Sequence, residues 1–190
     1  MNASENNPKL LIIDLESTCF ERGTEPPAFF SEIIEIGAVL FDSTGLEEVW
    51  NHSWILKPVL FPTLSDFCKT LTTLSQKEVE AGTSFAQALE ELKEKIKEES
   101  YIFCSWGGYD KNQFLRQCKK FNLNYPFGPQ HINLKEEFSK FFKVKPCGMG
   151  SALKRIRLPL QGTHHRGLDD AKNISQIVKF MLQKGWKFKV

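Results

Sequence analysis
Residues 10–16 read Leu10-Leu11-Ile12-Ile13-Asp14-Leu15-Glu16. A short apolar run of this kind belongs in a strand at the centre of a sheet, covered on both faces. Side chains on a strand alternate between the two faces, so Asp14 and Glu16 point the same way. The run therefore ends by setting two carboxylates side by side at the margin of a core. Like charges so placed repel unless something positive lies between them. A solvated strand end is the plain alternative for this pair.

The following segments predict what surrounds that strand. Ile33–Phe41 is a second β-rich run, and Val49–Leu56 a third. The turn residues Asp42-Ser43-Thr44-Gly45 between them suggest an antiparallel hairpin. Phe85, Leu89, Leu92 and Ile96 recur at helical spacing. Tyr101–Ser105 reads as a fourth strand, and Lys111–Lys120 as a helix with Phe114, Leu115 and Cys118 inward. Leu134–Phe142 and Met149–Ile156 are expected to be helical. So is Asp169–Gln183, which carries Ala171, Ile174, Ile177, Val178, Met181 and Leu182 on one side and Gly185 as its stop. Three strands, a helix, a strand and then mostly helices point to an α/β fold with a mixed sheet. No G-x-G-x-x-G follows the first strand and no Walker lysine loop occurs, which argues against a nucleotide-binding α/β fold.

A chain of 190 residues is the size of one domain. Residues 1–8 read as a frayed tail and 9–190 as a single domain. A net charge of +2 neither demands nor excludes nucleic acid. The five cysteines have no C-x-x-C spacing and form no zinc pattern with the four histidines. Free thiols in a reducing compartment are the expectation. The polar N-terminus has no signal-peptide core and no apolar run is long enough to span a membrane, so the expected location is the cytoplasm.

Two further motifs carry chemistry. His164-His165-Arg166-Gly167-Leu168-Asp169-Asp170 opens the last helix. On a continuous helix His165 and Asp170 would diverge by about 140°. They converge more easily if His165 lies on the loop before the helix. Asp169 and Asp170 also suit a helix start for electrostatic reasons alone. Asp110 follows the fourth strand and leads into a helix, where an N-cap role is the plain alternative.

Taken together, the three motifs resemble the DEDDh family of 3′–5′ exonucleases. The resemblance implies the RNase-H-like fold, a mixed central sheet with its first three strands antiparallel, flanked by helices. Four stretches are similar to its Eri-type branch. They are Asp14-Leu15-Glu16-Ser17-Thr18-Cys19, Glu32-Ile33-Ile34-Glu35-Ile36-Gly37, Leu64-Ser65-Asp66-Phe67-Cys68 and His165-Arg166-Gly167-Leu168-Asp169-Asp170-Ala171-Lys172-Asn173. The likeness runs from about Leu10 to Leu182. It implies that Asp14, Glu16, Asp110 and Asp170 bind two divalent metal ions, Mg²⁺ with Mn²⁺ as a substitute. Glu16 and His165 then count as catalytic, with His165 the general base and His164 its rival. The likeness also implies that Ser17 and Thr18 contact the terminal nucleotide, partly through backbone. Phe67, Trp106 and Tyr109 are candidates to stack on bases, with core packing as the alternative. Glu35 is either a supporting residue or the polar face of an alternating strand. Lys154, Arg155, Arg157, Arg166 and Lys172 could attract a phosphate backbone. Gly107-Gly108-Tyr109 departs from the branch, which more often places tryptophan before the aspartate. On this length, an appended nucleic-acid-binding domain is not expected.

Phosphodiester hydrolysis must bring a nucleophile to an anionic phosphate and stabilise a departing alkoxide. Two metal ions roughly 3.5–4 Å apart do both. An all-carboxylate shell suits Mg²⁺ or Mn²⁺, and histidine titrates near the pH at which a base must work. The expected function is a metal-dependent 3′–5′ exonuclease that acts on the 3′ end of single-stranded nucleic acid and releases nucleoside 5′-monophosphates. RNA is preferred over DNA on the Eri-type likeness alone. The alternatives are a DNA-trimming exonuclease and a catalytically silent nucleic-acid-binding adaptor.

Overall fold
The computed structural model describes residues 8–188. Of the tail expected over residues 1–8, residues 1–7 lie outside the described residues. Strand β1 (Lys9–Ser17) is the axis of a five-stranded sheet, with β2 (Ile33–Asp42) and β3 (Glu47–Ile55) on one side. On its other side lie β4 (Tyr101–Ser105) and β5 (His131–Asn133), giving the order β3-β2-β1-β4-β5. The first three strands are antiparallel, as expected, and β4 and β5 run parallel to β1 and β4 respectively.

Alternation along β1 divides the core. Leu11, Ile13 and Leu15 face a cluster built with α3 (Phe85–Ile96) and α4 (Tyr109–Phe121). Leu10 and Ile12 face the opposite cluster, built with α5 (Leu134–Phe142), α6 (Met149–Arg155) and α7 (Gly167–Gln183). Residues 10–13 are fully buried, and each large apolar side chain so placed contributes roughly 1.5–3 kcal/mol. Asp14 and Glu16 continue the even-numbered face and so look towards α7. The hydrophobic effect thus orients the two acids before any ligand is considered.

Two short helices escape the periodicity reading, α1 (Asp66–Thr72) and α2 (Gln76–Glu80). Each follows a serine N-cap, Ser65 or Ser75, and Ser75 forms a reciprocal capping box with Glu78. Helices α4 and α7 start two residues earlier than expected. One burial expectation is overturned: Leu115 is 41 % exposed. The buried stripe of α4 runs through Asp110, Gln113, Phe114, Gln117 and Cys118, and Leu115 lies one helical step of about 100° beyond Phe114.

Helix α7 meets the sheet without a side-chain spacer. Gly37 lies opposite Asp14 in the β1–β2 ladder. A Cβ on Gly37 would stand 1.9 Å from the carbonyl carbon of Gly167, and a Cβ on Gly167 would stand 2.9 Å from the Asp14 backbone oxygen. Both distances are below any real contact, so the two glycines are what allow the first turn of α7 to rest on β1 and β2. Replacing Gly37 by alanine must push α7 away. We expect this to cost about 3 kcal/mol in urea unfolding, whereas Gly148→Ala, with nothing within 4 Å of the new Cβ, changes stability little.

Candidate active site
The acids converge where β1 emerges from the core. Donor atoms of Asp14, Glu16 and Asp170 all lie within 4.8 Å of one another. Glu16 and Asp170 are buried. Asp170 reaches the cluster because α7 begins directly above Gly37, which puts its first turn over Asp14. Asp110 arrives from the first turn of α4. The pairing of β4 with β1 ends at Ile12 and Cys104, and the Leu15 N–H beyond it donates to Asp110 Oδ1 at 3.1 Å. Asp110 stands beside the three-acid cluster rather than within it.

Burial and mutual repulsion set the charge state. Burial comes first in raising Asp14, followed by the charges of Asp110, Asp170, Glu16 and Glu35. Burial and then the charge of Asp170 push Glu16 up to about 8. Burial pushes Asp110 up to about 6, although the Leu15 N–H favours its charged form. Asp170 is also raised by burial, against hydrogen bonds from His165 and His164. A buried cluster of hard oxygen donors that resists ionisation by itself fits a divalent cation.

His165 lies on the turn before α7, with a left-handed φ of 64°. Its N–H donates to Asp170 Oδ2 at 3.0 Å. The ring of His164 stacks on that of His165 with centroids 4.0 Å apart. It is His164 whose Nδ1 meets the Asp170 carboxylate, at 2.9 and 3.1 Å. Burial, and then the neighbouring His164, lower the pKa of His165.

These groups line a cleft of about 730 Å³. Asp14, Glu16, His164, His165 and Asp170 form one wall, and the other comes from Gly148–Ser151, Lys154 and Leu158–Leu160. That second wall is the start of α6 and the loop after it, and of its residues sequence reasoning singled out Lys154 alone. The exposed apolar Leu160 is a further hint. Trp106 also lines the cleft, while its indole N–H donates to the Cys147 carbonyl at 3.0 Å. Ser17 is buried and its hydroxyl has no hydrogen-bond partner among the described residues. Thr18 is committed internally, its hydroxyl accepting from the Glu32 N–H at 2.9 Å. Phe67 and Tyr109, 43 % and 52 % exposed, stand on elements adjoining the acids without lining the cleft.

The raised acids bind more protons in the folded than in the unfolded state. Stability without metal should therefore fall as pH rises through their raised folded pKa values, among them about 6 for Asp110 and about 8 for Glu16. We expect the melting temperature in EDTA to be lower at pH 8.5 than at pH 5.5. Saturating Mg²⁺ or Mn²⁺ should recover most of the difference, because binding favours the ionised acids. Differential scanning fluorimetry across pH, with and without metal, reads this directly.

Residues 11–178 match the family model described as Exonuclease. The chain is 35 % identical to human 3′-5′ exoribonuclease 1 over 95 % of its length, covering 54 % of that protein. It is 32 % identical to the probable 3′-5′ exonuclease KapD of Bacillus subtilis, over 92 % of this chain and 84 % of KapD. It thus spans about half the length of the mammalian relatives it matches. Among solved structures, the nuclease domain of 3′hExo, described as a DEDDh family member bound to rAMP, superposes with a TM-score of 0.88. That match is 33 % identical and covers 96 % of both chains. With the fold, the acid cluster and these likenesses in agreement, the chain belongs to the exonuclease family, in its DEDDh group and of the Eri type.

Proposed function
We propose that this chain is a metal-dependent 3′–5′ exonuclease that removes nucleoside 5′-monophosphates from the 3′ end of single-stranded RNA. The carrying observation is the convergence of Asp14, Glu16 and Asp170 within 4.8 Å, on the wall of a cleft that His165 shares. Asp14, Glu16, Asp110 and Asp170 would hold two divalent ions, Mg²⁺ or Mn²⁺. Such ions supply Lewis-acid stabilisation of the charge that develops on the phosphate oxygens.

The chain's own residues do the rest. His165 takes a proton from the attacking water. Its lowered pKa keeps the ring neutral, and so able to accept, at neutral pH. Glu16 helps to orient that water. The unpartnered hydroxyl of Ser17 and the backbone around Thr18 meet the terminal nucleotide, and Lys154 attracts phosphate. Exposed Tyr109 and Phe67 offer faces on which bases stack.

The RNA preference is supported by the exoribonuclease names of the relatives and by the adenosine monophosphate in the related nuclease domain. Residues 9–190 are proposed to act as one nuclease unit. No helix among the described residues is long and apolar enough to cross a membrane. The cytoplasm is the proposed compartment, since it suits a chain whose five cysteines are all free thiols.

The test is digestion of matched 5′-labelled single-stranded RNA and DNA with Mg²⁺, Mn²⁺ or EDTA. A metal-dependent ladder shortening from the 3′ end, faster on RNA, is expected. A faster DNA ladder selects the DNA-trimming reading, and tight binding without cleavage selects a silent adaptor. Asp14→Asn and Asp170→Asn should abolish turnover yet leave the fold intact by circular dichroism. His165→Ala should lower kcat by about 10²- to 10⁴-fold and His164→Ala by less. The reverse order would make His164 the base.

A further inference from the structure
Glu35 is a buried carboxylate that stands apart from the cluster of Asp14, Glu16 and Asp170. It is 1 % exposed and lies opposite Glu16 in the β1–β2 ladder. Its Oε1 accepts from the Ser53 hydroxyl at 2.8 Å and, more weakly, from the Leu168 N–H at 3.4 Å. Its Oε2 accepts from Arg166 Nε at 3.1 Å. A Cβ on Gly167 would come within 3.3 Å of Glu35 Cγ, so this side chain also packs beneath the turn.

Arg166 carries that anchorage into the active site. It is the N-cap residue of α7 and directly follows His165. Its carbonyl accepts the Asp170 N–H at 2.8 Å, and the Asp170 carboxylate accepts the His165 N–H at 3.0 Å. Its guanidinium lies between Glu35 and, at 3.8 Å, Glu78 of α2. The turn needs such support, because a left-handed non-glycine residue costs roughly 1–2 kcal/mol and His165 is one.

Stability alone is a weak account of this pair. A buried ion pair is often matched in stability by apolar side chains of similar volume. The charge of Glu35 also adds to the repulsion felt by Asp14 and Glu16. What a fixed acceptor supplies is direction. We propose that Glu35 is a positioning residue for the reaction. Through Arg166 and the Leu168 N–H it fixes the His165–Asp170 turn over the acids, and so sets where the imidazole meets the attacking water. This rests on the nuclease reading above.

The test compares Glu35→Gln, Arg166→Met, Arg166→Lys and the Glu35→Gln/Arg166→Met double variant in the full chain. The readouts are kcat and KM on a 5′-labelled oligonucleotide, Mn²⁺ affinity by electron paramagnetic resonance, melting temperature, and amide exchange over residues 163–170. Misplacing a reacting group by about 1 Å can cost about 10²-fold. We therefore expect Glu35→Gln and Arg166→Met each to lower kcat by about 10- to 100-fold, with KM and Mn²⁺ affinity moving less than about threefold. Exchange should quicken across the turn. The double variant should be no worse than the poorer single variant, as expected of residues acting as one unit, and Arg166→Lys should recover part of the rate lost in Arg166→Met. A rise in KM alone would make Arg166 a phosphate contact and overturn the proposal. Full kcat with a loosened turn, additive losses, or losses that merely track the unfolded fraction would overturn it too. If the wild type cleaves nothing, the nuclease reading fails, whereas unchanged exchange in Glu35→Gln specifically refutes the anchor.

Discussion

Carboxylates gathered at the buried end of a sheet repel one another, and the site is organised around containing that repulsion. The acids come from three separate segments, β1, α4 and α7, each rooted in the core by its own apolar face. Apolar burial fixes each backbone, and the backbones force the carboxylates together against their mutual charge. Deep burial then makes ionisation unfavourable for Asp14 and Glu16 until a cation is present. The crowding that makes this cluster costly to form is the same crowding that a cation would relieve.

The surroundings hold the site by backbone hydrogen bonds as much as by side chains. Glu32 accepts from the N–H groups of Val59, Leu60 and Phe61. Its own N–H and carbonyl clasp Thr18. Ser65 caps α1 and donates to the Cys19 carbonyl at 2.6 Å. The segment that follows Glu16 is therefore tied to two neighbouring loops before any substrate arrives. The Thr18 hydroxyl is engaged by the Glu32 N–H, while that of Ser17 meets no partner among the described residues.

Much of this was legible in the sequence because it rests on periodicity. The alternation of residues 10–16 located the central strand and put Asp14 and Glu16 on one face. The apolar spacing of α3 and α7 located the two covering layers, and the offset of His165 from Asp170 favoured a turn before α7. Less was legible where the decisive contacts join residues distant in sequence. Helices α1 and α2 are too short to show a period, and capping serines are their sole local signature. Glu35 read as either a supporting residue or the polar face of a strand, and its link to Arg166, 131 residues away, has no local signal. Leu115 was misplaced because a hydrophobic residue on a helix surface looks the same in sequence as one beneath it.

The direct seating of Gly167 on Gly37 has a consequence for how the site tolerates change. Where helix and sheet are held apart by interlocking side chains, every core substitution alters their spacing. Here the spacing at the active end is set by two backbones in van der Waals contact. The apolar residues further along α7 can exchange size and shape while the gap between Asp14 and Asp170 stays the same. The two glycines act as a ruler, and they uncouple the drift of the core from the geometry of the chemistry.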